Sequence, residues 1–311
     1  MQKKTIIKVV GVGGGGGNAI DRMMHCKIKG IDLIAVNTDV QDLKKIRALQ
    51  KIRIGQEATR GLGAGMNPEL GKRAALESKA ELIEALQGAD MVFLTAGLGG
   101  GTGGGAIPVL AQIARSQGAL TIAVVTRPFS FEGSWRAKLA ERALTELKGK
   151  VDTLLVIPND QILKLADQDM SVLAAFWKAD EILRQAVQGI SDLIVLPGII
   201  NVDFADLRSI MKNSGRAVFG MGQAKGEKRM EQALGAALHS PLLNMSIKGA
   251  KGILFQVAGA DDVSLHEIQE AAQQIKEDIS PQAKIIFGAV QDKNLKSGEV
   301  RLTIIATGFG E

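Results

Sequence analysis

The chain has 311 residues, 46% hydrophobic and 23% charged, enough apolar material for a large core or two domains, which excludes a disordered or fibrous class. Its formal net charge of +5 is dispersed, and only 4% of residues are aromatic, so it lacks the basic and aromatic interleaving of a single-strand binder and nucleic acid is not an expected partner. No apolar run reaches the roughly 18 residues of a membrane span, Met1-Gln2-Lys3-Lys4-Thr5 leads into a strand without a signal-peptide core, and the lone Cys26 excludes an internal disulfide; the expected compartment is the cytoplasm, with no membrane insertion.

In chain order, the β-branched run 6–11 predicts a strand that empties into Gly11-Val12-Gly13-Gly14-Gly15-Gly16-Gly17-Asn18. A second strand is expected at 31–36 and a helix over 69–87. The strand 91–95 then opens into Gly97-Leu98-Gly99-Gly100-Gly101-Thr102-Gly103-Gly104-Gly105. Strands at 120–126 and 153–157 flank a helix at 135–148. A long helix follows over 171–194, with Ser171 as a plausible N-cap, and a short one over 203–212. From about 218 the order is helix 227–238, strand 252–258, helix 264–277 and strands 284–290 and 299–307. The alternation predicts an α/β fold: a Rossmann-like parallel sheet over 1–170, a central helix 171–194, a linking loop and helix 195–217, and a smaller α+β domain 218–311.

The two glycine loops carry the chemistry. Without Cβ atoms the backbone can bring its N–H groups against an anion, and the helix that follows directs the positive end of its dipole to the same point. Neither loop holds the lysine of a P-loop. Negative charge would be met by amides, the Thr102 hydroxyl, helix dipoles and a metal ion. One such loop alone reads equally as a strand-to-helix turn that needs glycine for packing; two facing one ligand make a phosphate cage. A third segment, Gly61 to Asn67, has a glycine at every second position, which suits a mobile loop that senses a terminal phosphate.

Six segments in order resemble the tubulin/FtsZ family of GTPases. Gly99 to Gly105 resembles its GGGTGSG or GGGTGTG signature, and it is accompanied by Val36-Asn37-Thr38-Asp39, by Arg60 to Glu69, by Arg127-Pro128-Phe129-Ser130-Phe131-Glu132-Gly133, by Pro158-Asn159-Asp160 and by Asn201-Val202-Asp203-Phe204-Ala205-Asp206. The resemblance implies a GTP-binding domain joined by the central helix to a smaller C-terminal domain, GTP and GDP as ligands, and Mg2+ as counter-ion, with a monovalent cation as a second candidate. It implies cell-division filaments of the chain with itself, at the division site, and hydrolysis at the joint between subunits. The alternative is a paralogue that binds GTP and polymerises with little or no hydrolysis.

Residue by residue, Gly13, Gly14, Gly15, Gly16 and Gly17 with Asn18, and Gly99, Gly100, Gly101, Thr102, Gly103 and Gly104, are expected around the phosphates, with Gly65 and Asn67 at the γ position. A carboxylate can accept the paired N1–H and N2 donors of guanine, which adenine lacks. Asp180 is the candidate, with Phe176 one turn earlier on the same helix face to stack on the base. Spacing alone would leave Phe176 as a core contact and Asp180 as a solvated face; the resemblance assigns both to the base, together with Asn159. Likewise it assigns Glu132 and Arg136 to ribose and phosphate through the family's FEGxxR pattern. It further implies that Asn201, Asp203 and Asp206 enter the nucleotide site of the next subunit and orient the attacking water, whereas Asp203 by itself reads as an N-cap.

Two departures from the family stand out. Gly104 replaces a threonine or serine, removing a hydroxyl expected near the terminal phosphates, and Gly104→Thr is expected to raise affinity or turnover. The chain stops at Glu311 where the family usually continues to a short peptide that binds accessory proteins; cell-division accessory proteins stay candidate partners, without that peptide. A dinucleotide oxidoreductase would explain Gly11 to Gly16 and Asp39 as a ribose-binding acid, but it leaves Gly99 to Gly105 without a ligand. Trp135 and Trp177 are expected only to pack at the rim of the pocket.

Overall fold

The computed structural model describes residues 5–28, 30–163, 170–195, 198–200, 202–240, 246–260, 262–292 and 295–309. They form two compact units, Met1–Gln188 and Gly189–Glu311.

The first unit contains β1 (Ile7–Val12), α1 (Gly13–His25), β2 (Ile31–Asn37), α2 (Val40–Lys45), β3 (Gln50–Arg53), α3 (Gln56–Thr59), α4 (Pro68–Glu77), α5 (Lys79–Leu86), β4 (Met91–Gly97), α6 (Gly101–Ser116), β5 (Leu120–Arg127), α7 (Ser134–Leu147), β6 (Thr153–Pro158), α8 (Asn159–Leu163) and most of α9 (Val172–Val195). Its strands lie in the order β3-β2-β1-β4-β5-β6, all parallel. A parallel sheet needs cover on both faces, and β1, β4 and β5 are accordingly buried along nearly their whole length and mostly apolar. The order reverses between β1 and β4. In such sheets the crevice outside the carboxyl ends of the two strands at this switch point is where ligands bind, and both long glycine loops leave the sheet there.

The second unit contains the end of α9, β7 (Gly198–Ile200), α10 (Phe204–Met211), β8 (Gly215–Lys225), α11 (Arg229–Leu238), β9 (Gly252–Gly259), α12 (Leu265–Asp278), β10 (Lys284–Gln291) and β11 (Glu299–Thr307). Its strands lie in the order β8-β11-β9-β10-β7. Only β9 and β10 are parallel; β11 runs antiparallel to both its neighbours. Its core is built from β8, β9, β11, α11 and α12, with Phe255, Ile253, Leu302, Ile304, Leu234 and Ile275 at its centre. Arg229 at the start of α11 is buried and bonded by its Nε to Glu267 Oε1 at 2.7 Å and by its Nη1 to Asp262 Oδ2 at 2.8 Å. Asp262 also accepts from the Gly298 amide at 2.7 Å. One guanidinium thus ties two helix starts to the turn before β11.

This is the α/β arrangement with a smaller α+β domain that the pattern predicts, and most predicted elements lie within two residues of the observed ones. Three differ. The expected helix 69–87 is two helices that break at Ser78, whose hydroxyl accepts the Gly55 amide at 3.1 Å and so leaves the helical path. β3 is short and mostly exposed, and thus without the apolar alternation that reveals a strand. β8 carries three glycines among eleven residues, which weakens its strand signal. It begins inside the stretch 195–217 expected to be linking loop and helix, which also holds β7. Among the described residues no helix is long and apolar enough to cross a membrane.

Candidate functional site

The first unit brings most of the expected residues to one mouth. β1 ends at Val12 and α1 begins at once with Gly13, whose φ of +72° only glycine adopts at low cost. Val12 supplies no side-chain cap and the first turn of α1 holds no acid, so its leading amides stay available to an anion. α6 is built the same way: Gly100 is its N-cap without a side-chain bond, and no acid lies in the first turn. Gly101 N–H is taken by Gly65 O at 2.6 Å, which leaves the amides of Thr102 and Gly103 without an intrahelical acceptor. The two starts adjoin: a Cβ on Gly13 would lie 3.0 Å from Gly103 N, and one on Gly15 would lie 3.2 Å from Gly97 N.

The third loop seats directly on α6. A Cβ on Gly101 would meet the carbonyl oxygens of Ala64, Asn67 and Gly65 at 2.6, 2.7 and 2.8 Å, and one on Gly105 would lie 2.0 Å from Pro68 O. Part of the glycine run therefore serves the close packing of α4 on α6 rather than a ligand. Asn67 is the N-cap of α4, accepting from Leu70 N at 3.2 Å, while Gly65 is exposed with open space beside it. The Thr102 hydroxyl shares a 2.6 Å hydrogen bond with that of Thr38, a buried pair. Gly104 faces away from this crowding: its nearest neighbour for a Cβ is Ala143 of α7, at an ordinary 3.5 Å. Asn18 is exposed on α1.

The far wall continues the circuit. Gly99 lies against Arg136, whose Nη1 donates to Glu132 Oε2 at 2.9 Å, and Glu132 Oε1 accepts from Phe129 N at 2.9 Å. The ring of Phe129 stacks on Phe131 at 5.0 Å and meets the edge of Phe176 at 5.3 Å. Phe176 therefore packs with other aromatics and yet stays 39% exposed. Ser130 N donates to Asp160 Oδ1 at 2.8 Å, tying this segment to the end of β6. There Asn159 is buried, and its Oδ1 has no hydrogen-bond partner. A buried polar atom without a partner costs about 1–3 kcal/mol, which a ligand donor would offset.

Asp180, one turn after Phe176 on α9, closes the ring. Its carboxylate lies 3.9 Å from Arg22 Nε of α1. Burial pushes the Asp180 carboxyl up to about 7, and the Arg22 charge only partly counteracts it. Arg22 in turn lies over the ring of Trp177, 4.1 Å from its centre. Trp177 thus has a partner that the sequence did not disclose, whereas Trp135 is 60% exposed and nothing in the structure explains it.

Other expectations fall elsewhere. Asp39, the ribose acid of a dinucleotide site, is instead the N-cap of α2, accepting from Gln41 N and Asp42 N. Asp203 and Asp206 belong to the second unit. Asp203 caps α10 through Ala205 N at 3.0 Å, Asp206 lies in the first turn of that helix, and both are exposed. Asn201 lies outside the described residues. The sequence reading missed Thr38 and Arg22. Neither forms a motif; only the position of Thr38 within Val36-Asn37-Thr38-Asp39 hinted at it.

Comparison with known proteins covers nearly the whole chain. Residues 6–167 match the GTPase domain of the Tubulin/FtsZ family, and residues 215–310 match the C-terminal domain of the FtsZ family. An FtsZ dimer from M. jannaschii is 47% identical, with 99% of this chain and 89% of that one covered and a TM-score of 0.94. A mutant FtsZ from the same organism gives 47%, 99%, 92% and 0.95. CetZ2 from Haloferax volcanii, in a GTPgS-bound protofilament, is 22% identical over 97% of this chain and 92% of that one with a TM-score of 0.80, a likeness of fold alone. With a GTPase-domain model matching more than half of its length, this chain belongs to the tubulin/FtsZ family of GTPases.

Proposed function

We propose that the chain is a GTP-dependent filament protein of cell division in the cytoplasm, which assembles head to tail with copies of itself and hydrolyses GTP where two copies meet. The observation that carries the reading is the meeting of two uncapped helix starts, α1 and α6, at the switch point of the sheet, with a buried carboxylate on the same mouth. The amides at the start of α1, from Gly13, and those of Thr102 and Gly103 at the start of α6 would face the phosphates, and Gly65 and Asn67 would follow the γ-phosphate. Glu132 and Arg136, already paired, would meet ribose and phosphate. Asp180, ionised, would accept from the N1–H and N2 donors of guanine, and Asn159 would face the same edge with its unpartnered Oδ1, with Phe176 against the base.

Mg2+ fits as a counter-ion carried by phosphate oxygens and water. Among the described residues no group of three or more His, Cys, Asp or Glu could cage a metal, and Mg2+ commonly binds through substrate phosphates rather than an all-protein site. When bound it would neutralise charge developing on the β- and γ-phosphates. This chain's own contribution is orientation by fixed amides, which need no rearrangement as charge develops.

The water-orienting groups are Asn201, Asp203 and Asp206, supplied to the nucleotide of one copy by the next. Two features support this: the described neighbours of the glycine loops named above belong to the first unit, and the two acids are exposed in the second. The purified chain incubated with GTP should release phosphate and yield sedimentable polymer. Asp206→Ala should still bind GTP while turnover falls by orders of magnitude. Polymer without phosphate release in the parent protein would favour the non-hydrolysing alternative, and the absence of both polymer and phosphate release would refute the proposal.

A further inference from the structure

The guanidinium that faces Asp180 is weakly held by it. At 3.9 Å the Arg22 Nε to Asp180 Oδ2 contact is an ion pair but too long for a hydrogen bond. Arg22 Nε is buried and has no hydrogen-bond partner at all. What fixes the plane of the guanidinium is the indole of Trp177, 4.1 Å away, a geometry in which the negative face of the ring attracts the cation. Trp177 and Asp180 are three residues apart on α9 and so project from the same side of the helix. Phe176, the other aromatic of that turn, is committed to Phe129 and Phe131. Two neighbouring aromatics on α9 thus go to different partners, one to the ring cluster and one to the cation.

Arg22 also has a competing acid within electrostatic reach. Its charge lowers the carboxyl of Glu181, a group held mainly by Arg184 through Nε at 2.8 Å. An Arg22 released from the indole would be free to turn towards Glu181 or solvent, leaving the Asp180 carboxylate to burial alone. Trp177 is 54% exposed, far more than a residue kept for core packing.

We infer that Trp177 is a positioning residue for guanine recognition: by stacking on Arg22 it keeps the guanidinium beside Asp180 and so holds that carboxylate ready for the base. The inference rests on the reading of Asp180 as the guanine acceptor. Trp177 itself need not touch the nucleotide, and its effect passes through Arg22.

The test is a double-mutant cycle read by displacement of a fluorescent GDP analogue, with thermal melting of each variant as a control on folding. Trp177→Leu should weaken GDP binding roughly three- to fivefold, the equivalent of a partly exposed cation–π contact, with an unchanged melting midpoint. Trp177→Phe should restore most of the loss, since a ring remains. In an Arg22→Gln background Trp177→Leu should add nothing, because the pair is already broken. Unchanged GDP affinity in Trp177→Leu, or an equal loss with and without Arg22, would overturn the inference. Asp180→Ala separates this from the reading beneath it. If Asp180→Ala abolishes the preference for GDP over ADP while Trp177→Leu has no effect, only the role of Trp177 fails; if Asp180→Ala leaves that preference intact, the assignment of Asp180 fails and takes the inference with it.

Discussion

Gly13 and Gly103 lie back to back at the switch point of the sheet, so that a Cβ on the first would sit 3.0 Å from the backbone nitrogen of the second. The contact makes one mouth of two loops that are 90 residues apart in sequence. Gly13→Ala should therefore lower stability by about 1–2 kcal/mol through its positive φ and weaken GTP binding as the loops part. Gly100→Ala is the matched control. Its φ is −101° and nothing lies within 4 Å of the new methyl, so denaturant unfolding should show a change within about 0.5 kcal/mol. Equal losses in the two variants would show that the shared mouth is not what Gly13 protects.

Asp180 ties nucleotide affinity to pH. In the free protein its carboxyl titrates near 7 rather than near 3.8, whereas guanine's N1–H and N2 donors require the ionised form. Binding should release a proton below pH 7. Affinity should then fall as pH drops below about 7, approaching about tenfold per unit well below it, and stay flat above. For the free protein the folded value is raised, so the favourable contribution to stability is complete below about pH 4 and is lost as pH rises through about 7. Isothermal titration with GDP in buffers of different ionisation enthalpy measures the proton directly. Asp180→Asn should abolish the release.

Gly104 faces α7 with room for one methyl group, in a helix that already carries Pro108. The missing family hydroxyl thus belongs to the α6–α7 packing as much as to the phosphates. Gly104→Ala should raise stability by about 0.5–1 kcal/mol, the difference between the two residues within a helix, without changing GTP turnover. A fall in turnover at unchanged stability would return the position to the phosphate site.

In the second unit, Arg229 holds the Glu267 carboxyl down to about 2, chiefly through its hydrogen bond, against an ordinary value of 4.5. A depressed acid stabilises above its unfolded value and loses that contribution as pH falls. Glu267→Gln should cost about 2 kcal/mol at pH 7 and progressively less from pH 4.5 towards pH 2. Urea titrations of parent and variant at pH 7 and pH 3 test this; a constant difference would mean that the ion pair is not its source.

Much of this was legible in the residues. Runs such as Leu120 to Thr126 are rich in apolar and β-branched residues and buried along their length, as a strand covered on both faces is, and the glycine loops mark where β1 and β4 stop. Less visible was how the glycines divide their labour. Gly101 and Gly105 clear space for α4, and only coordinates distinguish that from clearing space for a ligand. The Arg22 and Trp177 pair was also hidden, because it joins helices 155 residues apart with no motif at either end. Asp39 shows the converse: its place after the second strand suits a ribose acid, yet local capping of α2 claims its carboxylate.

The central claim is that one copy supplies Asp203 and Asp206 to the GTP held by another, and the rate of phosphate release per subunit against protein concentration tests it most directly. A shared site predicts almost no release when dilution keeps copies apart, then a sharp rise in specific activity over the concentration range in which polymer sediments. Specific activity that stays constant down to concentrations without any polymer would contradict it, because each chain would then be hydrolysing GTP alone.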